Sequence, residues 1–247
     1  MNKIANYEKI WEEKWGDMQT YGPIHRHHRR LLAKMLSEIH FDSLLDVGCG
    51  AGQNIHHAMA CKELKRVAGI DISEEALKIA KTNLPNEIQL TQLNILEKTL
   101  PEKFDLVICF DVIEHIVDDG IFLSSINKMT GKYLIISTLQ GRMRDFEKDI
   151  GHIRNYKKGE LQEKLIRAGF IIDKTIEWGF PLYSPLYRNL LNNNVSQTIT
   201  TGSFGFLKRI LCHILYLLFM LNTARKGDII VIRAKKPNGE LQRDIHG

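Results

Sequence analysis

Apolar positions along the chain fall into two kinds of pattern. Short, nearly continuous apolar runs recur at Leu44–Val47, Arg66–Ser73, Glu87–Leu93, Phe104–Phe110, Gly131–Thr138, Ile171–Trp178 and Asp228–Ala234. Runs of that length, bounded by turn residues, are those of buried strands. Between several of them the apolar residues return at helical spacing, as in Gln53–Cys61, in Ala76, Leu77, Ile79 and Ala80, and in Leu161, Leu165 and Ile166 before the stop at Gly169. Ser73 ahead of Glu74-Glu75 has the form of a helix N-cap with acids in the first turn. Strands alternating with helices predict an α/β domain with a doubly wound sheet. Residues 1–40 predict cap helices: an amphipathic one over Asn6–Trp15, then one in which Leu31, Leu32, Met35, Leu36 and Ile39 keep helical spacing.

One strand end is unlike the others. Leu44-Leu45-Asp46-Val47 runs into Gly48-Cys49-Gly50-Ala51-Gly52-Gln53-Asn54, a strand, a glycine turn and a helix start. That is the nucleotide corner of a doubly wound fold. The spacing is G-x-G-x-G, with Gln53 where a dinucleotide fingerprint wants its third glycine. Asp46, two residues before the first glycine, would repel a pyrophosphate but attract an ammonium or a sulfonium. S-adenosylmethionine (SAM) carries both cations. Asp71 closes the second strand about 20 residues past the loop, where a carboxylate accepts from ribose hydroxyls. The alternative for the loop alone is a structural glycine turn.

These residues resemble motif I of the class I SAM-dependent methyltransferases. Phe104–Phe110 running into Asp111-Val112-Ile113-Glu114-His115-Ile116 is similar to motif IV of the small-molecule O-methyltransferases, such as those of ubiquinone biosynthesis. The resemblance covers roughly residues 40–180 and the last strand. It implies a Rossmann-like, seven-stranded sheet with strand seven antiparallel. It implies cofactor contacts at Asp46, Gly48, Cys49, Gly50, Gly52, Asn54, Asp71, Ile72, Asn94, Ile95 and Phe110. At Asn94 the family often has an Asp that accepts from the adenine amino group; an amide there loses the charge-assisted part. Asp111, His115 and His152 are the candidate catalytic residues. Asp111 and His115 share a helix face if that segment is helical, or else Asp111 caps the helix and His115 packs on the sheet. His152 precedes the Gly159–Phe170 helix as a loop histidine suited to a general base, or as one that only ties the loop down.

The chain has 247 residues, 44% apolar and 26% charged, so one methyltransferase domain is expected over residues 1–247. Cys49, Cys61, Cys109 and Cys212 form no C-x-x-C pair, so neither disulfides nor zinc are expected. His25-Arg26-His27-His28-Arg29-Arg30 reads as a solvated helix end or a phosphate site; metal binding is a poor alternative, since no nearby Cys or carboxylate completes a set. No charged-then-apolar leader and no apolar run of ~20 residues is seen, which points to the cytoplasm or the inner face of a membrane.

About 50 residues separate the sixth and seventh strands, where the family has a short hairpin. This insertion, 181–226, holds Arg188, Lys208, Arg209, Arg225 and Lys226 and no acid, against a net charge of +5 for the whole chain. In Phe206–Leu221, Leu207, Leu211, Ile214, Leu218 and Leu221 form one helical stripe. The segment is a core helix, a lid, or a helix in a membrane interface. The expected activity is transfer of a SAM methyl to a small-molecule acceptor, at a hydroxyl oxygen, free or glycan- or lipid-linked. The rival readings are an RNA or protein methyltransferase and a non-catalytic SAM-binding subunit. A basic surplus in an apolar segment rather than a polar groove disfavours nucleic acid.

Overall fold

A computed structural model of the chain describes Trp11, residues 16–192 and residues 203–237. The amphipathic segment 6–15, apart from Trp11, the polar stretch 193–202 and the tail past 237 lie outside the described residues.

The strands are β1 (Ser43–Val47), β2 (Arg66–Asp71), β3 (Gln89–Gln92), β4 (Phe104–Phe110), β5 (Thr130–Leu139), β6 (Ile171–Trp178) and β7 (Ile229–Lys235). They form one sheet in the order β3-β2-β1-β4-β5-β7-β6. β1 to β5 pair in parallel, while β7 is antiparallel to both β5 and β6. β6 therefore runs with the parallel strands, and its carboxyl end lies at the same edge as theirs. The order reverses at β1, which begins one half of the sheet and sits beside β4, the start of the other. Ligands bind in the crevice outside the strand ends at such a switch point.

Side chains alternate across the sheet because the strand repeat is two. Leu44, Leu106, Ile108 and Val231 join one buried cluster, and Leu45, Val107, Cys109 and Ile232 the other. The first cluster is covered by α2 (Pro23–Leu36), on which α1 (Gly16–Tyr21) packs, and by α3 (Gln53–Cys61) and α4 (Glu74–Asn83), the last capped by Ser73, whose Oγ accepts from the Ala76 amide at 3.1 Å. The second is covered by α5 (Asp119–Met129) and α7 (Glu160–Arg167), with the short α6 (Asp145–Asp149) between them in sequence. The apolar pattern passes over α5, which is opened by Asp118 accepting from the Ile121 amide at 2.9 Å.

The basic cluster His25–Arg30 lies within α2 and is not a solvated end. His27 and His28 are buried in the helix itself. The His27 ring lies between Trp178 and Tyr216, with centroids 4.5 and 4.6 Å away, and its Nε2 meets the Tyr216 carbonyl at 3.0 Å. Burial pulls its pKa down to about 3, so it packs as a neutral aromatic spacer. It joins α2 to α8 (Phe206–Phe219), the long helix of the insertion.

Candidate active site

A cavity of about 690 Å³ opens at the carboxyl ends of β1, β2 and β4. Of the sequence-derived candidates, all but Asp46 and Gly52 line it. At its floor, Gly50 has φ +52, and a Cβ there would stand 2.7 Å from the Trp11 ring. Only glycine combines that backbone with that contact. Asp71 fixes the turn, accepting from the Gly50 amide at 2.8 Å through Oδ2 and from the Ser73 amide at 2.9 Å through Oδ1. Asp71 also lines the cavity. Asp46 lies directly behind the loop. It is fully buried, and neither carboxylate oxygen has a hydrogen-bond partner among the described residues. Burial first, then the Asp71 charge, pushes its pKa well up. A nearby cation would relieve that destabilised carboxylate.

Ile72, Ile95 and Phe110 supply apolar wall, and Ile72 is 53% exposed there. Asn94 is more committed than its sequence suggests. Its amide donates to Glu97 at 2.7 Å and its carbonyl oxygen accepts from the Leu96 amide at 3.2 Å. It builds its own turn first, and one amide hydrogen and one carbonyl lone pair are left for a ligand.

The end of β4 departs from the helical expectation. Asp111 has φ +56 and is not helical, and only Ile113–His115 forms a single 3₁₀ turn. Asp111 and His115 therefore share no helix face, and Asp111 caps nothing. Asp111 instead reaches across the cavity to His28, with Oδ2 2.9 Å from Nδ1, close but off the angle of a proper hydrogen bond. The Asp111 pKa falls although burial opposes it, because of the His28 charge and contact.

His115 and His152 meet edge to face, with centroids 4.7 Å apart. His115 Nδ1 lies 2.9 Å from the Gly151 carbonyl oxygen, so Nδ1 carries the proton and Nε2 keeps the lone pair. Burial lowers the pKa of His115 and holds His152 down at about 3. Both rings are neutral at physiological pH. The loop that carries His152 is pinned by Asp119, which receives Arg154 at 2.6 Å, Lys164 at 3.0 Å and the Tyr156 hydroxyl at 3.0 Å.

The structure adds residues that the sequence did not single out. Glu114 is fully buried, takes the Thr138 hydroxyl at 2.8 Å and stands 3.9 Å from His152 Nε2. Burial, with Asp111 second, pushes its pKa up to about 8. His25, His28, Tyr183, Tyr187, Phe204 and Cys212 complete the far wall. No sequence spacing links them, since they come from α2 and the insertion. Two sets, His25–His28–Asp111 and Glu114–His115–His152, bring three donors each within 4.8 Å of one another. The carboxylate that completes the first set comes from more than 80 residues away, which local spacing cannot reveal.

The strand order, the glycine loop and the carboxylates at the ends of β1 and β2 define a class I SAM-dependent methyltransferase. A family model for the methyltransferase domain matches residues 42–178, more than half of the chain, and the chain belongs to that family. The ubiquinone biosynthesis O-methyltransferase of Rhodopseudomonas palustris (strain TIE-1) is 29% identical over 168 residues, a match spanning 58% of this chain and 64% of that protein. That of Bradyrhizobium diazoefficiens is 27% identical over 230 residues, spanning 81% of this chain and 82% of its own. In fold, the chain is similar to the N-methyltransferase NodS from Bradyrhizobium japonicum WM9, solved with S-adenosyl-L-homocysteine, with a TM-score of 0.63 at 15% identity over 96% of this chain and all of the other. The cofactor is SAM.

Proposed function

We propose that the enzyme moves the SAM methyl group to a hydroxyl oxygen of a small-molecule acceptor. The observation that carries this reading is one cavity joining the glycine loop to a pair of neutral histidines at the end of β4. The O-methyltransferase names of the relatives support an oxygen acceptor.

SAM supplies an electrophilic methyl on a sulfonium. On this reading Asp46 provides the buried negative charge behind the glycine loop, Asp71 takes the ribose, and Gly48, Cys49, Gly50, Gly52 and Asn54 shape the cradle. Ile72, Ile95 and Phe110 flank the adenosyl group, with Asn94 at its rim. The chain's task at the other end is alignment, an effect worth up to about 7–11 kcal/mol, together with removal of the hydroxyl proton. His115 or His152 takes that proton, and burial keeps both rings ready as acceptors. His115 is the better placed of the two electronically, because its Nδ1–H is already engaged and its Nε2 lone pair is fixed. Asp111, held by His28, steadies the charge that develops on the ring that accepts.

The test uses methyl-labelled SAM with a panel of phenols and catechols, and locates the label on oxygen or nitrogen. His115→Ala or His152→Ala is expected to lower turnover by about 10²–10⁴-fold at unchanged SAM affinity. Full turnover in both variants at every pH would remove the histidines as bases. Turnover that needs a divalent cation and is lost with chelator would assign the Glu114–His115–His152 set to a metal instead.

A further inference from the structure

The insertion's long helix faces the wrong way for a core helix. Its inward side is narrow: Cys212 and Phe219 are buried, and Leu215 and Tyr216 are half-buried. The stripe that should pack a core, Leu207, Leu211, Ile214, Leu218 and Leu221, points outward, at 79%, 41%, 55%, 43% and 73% exposure. Phe206, Ile210, Leu217 and Met220 widen it, all of them exposed. Contiguous exposed apolar patches of this kind mark interaction sites.

The charges around the stripe say what covers it. Arg188, one of the insertion's five basic residues, is buried between Glu147 and Asp228 and contributes nothing to the surface. The other four lie in sequence at the start of α8 and beyond its end. Lys208 and Arg209 lie in its first turn, over the rings of Phe204 and Tyr21 at 4.0 and 4.2 Å. Arg225 and Lys226 follow its last turn, with Lys226 over the Phe180 ring at 4.3 Å. Asp17 approaches Arg209 to 3.8 Å, but the insertion itself has no acid. A second copy laid on this face would set like charges against each other in either orientation. An anionic bilayer meets both requirements at once, since acyl chains take the leucines and headgroups take cations that snorkel from the helix ends. At 14 residues α8 is about 21 Å long, too short for a hydrocarbon core of about 30 Å, and none of the described helices is long and apolar enough to cross a membrane.

We propose that the outward face of α8 docks on an anionic lipid bilayer, with the helix lying in the plane of the headgroup boundary. The back of the same segment, through Phe204 and Cys212, lines the large cavity. Docking therefore sets one wall of that cavity against the leaflet. The surface binding stands whatever the acceptor is.

The experiment is vesicle co-sedimentation of the full chain with phosphatidylcholine alone and with added phosphatidylglycerol. Circular dichroism and S-adenosylhomocysteine binding serve as fold controls. The expected result is binding to the anionic vesicles that weakens with salt. Lys208→Glu with Lys226→Glu should weaken it by about tenfold or more, from ~1 kcal/mol for each basic residue near the surface. Leu207→Asp with Leu218→Asp should abolish it while the fold controls hold. Equal binding to neutral vesicles, binding by the Asp variant at wild-type level, or no vesicle binding would each overturn the proposal. Concentration-dependent dimerisation without vesicle binding would do so too, and would assign the face to a second copy.

Discussion

The two ends of the cavity are built in different ways. The end at β1 and β2 is made by backbone: a glycine turn, two strand ends and amides donating to Asp71, all within residues 46–73. The end at β4 and the insertion is made by side chains from α2, the 3₁₀ turn at Ile113–His115, the 142–156 loop and the 181–192 turn. Those pieces are held by a buried ion network. Arg188 pairs with Glu147 and Asp228, with its Nε 2.9 Å from Glu147 Oε1, and Arg144 joins Asp228 at 3.3 Å and Asn189 at 3.0 Å. The first end needs only local chain and keeps its shape through short-range bonds. The second depends on long-range charge pairs, so it is the end that a single substitution can dismantle.

Removing the keystone of the network tests that contrast most severely. Arg188→Met strands Glu147 as a buried, unpaired carboxylate, and stability should fall by about 3–5 kcal/mol in denaturant titration. Below the new unfolding midpoint, S-adenosylhomocysteine affinity should stay near that of the parent while turnover falls. Loss of cofactor affinity in the folded variant would show that the two ends are not separable.

A smaller effect is expected from Asp71→Ala, which strips the charged acceptor from the Gly50 and Ser73 amides and, on the proposed reading, from the ribose. Cofactor binding by calorimetry should weaken by about 1–3 kcal/mol, with the charge network untouched. An unchanged affinity would sink the role given to this strand end.

Glu114→Gln gives the smallest and the most specific change. Glu114 has a raised pKa, so the folded protein holds a proton that the unfolded chain releases above about 4.5. Its contribution to stability therefore declines as pH climbs from about 4.5 toward 8, and it stays lost above that. Gln keeps an acceptor for Thr138 but does not titrate. The Tm of the variant relative to the parent should therefore rise steadily from pH about 4.5 to about 8 and level off above that, by about 2–4 °C for each kcal/mol recovered. An identical Tm–pH profile in both proteins would mean that Glu114 does not hold its proton.

The same contrast explains what could be read in advance. Phe104–Phe110, Gln53–Cys61 and Ile171–Trp178 are found at the positions their patterns predict, because burial on a sheet writes itself into contiguous residues. Asp111 lines the cavity but not in the helical geometry expected of it, since nothing in Asp111-Val112 announces a positive φ. His28 and Glu114 were missed because their partners come from elsewhere in the chain. His27 and His28 looked solvated beside three arginines, and only packing against Trp178, Tyr216 and Phe110 shows otherwise. The charge count in the insertion included Arg188, which is buried, because composition carries no information about depth. For Leu211, Ile214 and Leu218 the helical stripe was legible, but not which way it faced.

The neck of the insertion carries a consequence of its own. The Phe180 amide donates to the Lys226 carbonyl at 3.1 Å, and the Thr223 amide donates back to the Phe180 carbonyl at 2.9 Å. At Gly227 a side chain would stand 2.1 Å from the Trp178 backbone, so the two strands of the neck touch without room for a Cβ. The excursion thus leaves and re-enters the sheet at nearly one point, and β6 and β7 keep their register whatever lies between. The neck behaves as a splice junction. Recombination or engineering can exchange everything past it for a loop of another length and polarity, giving the sheet a new clientele, while the turn over residues 46–73 keeps its bonds to Asp71 as before.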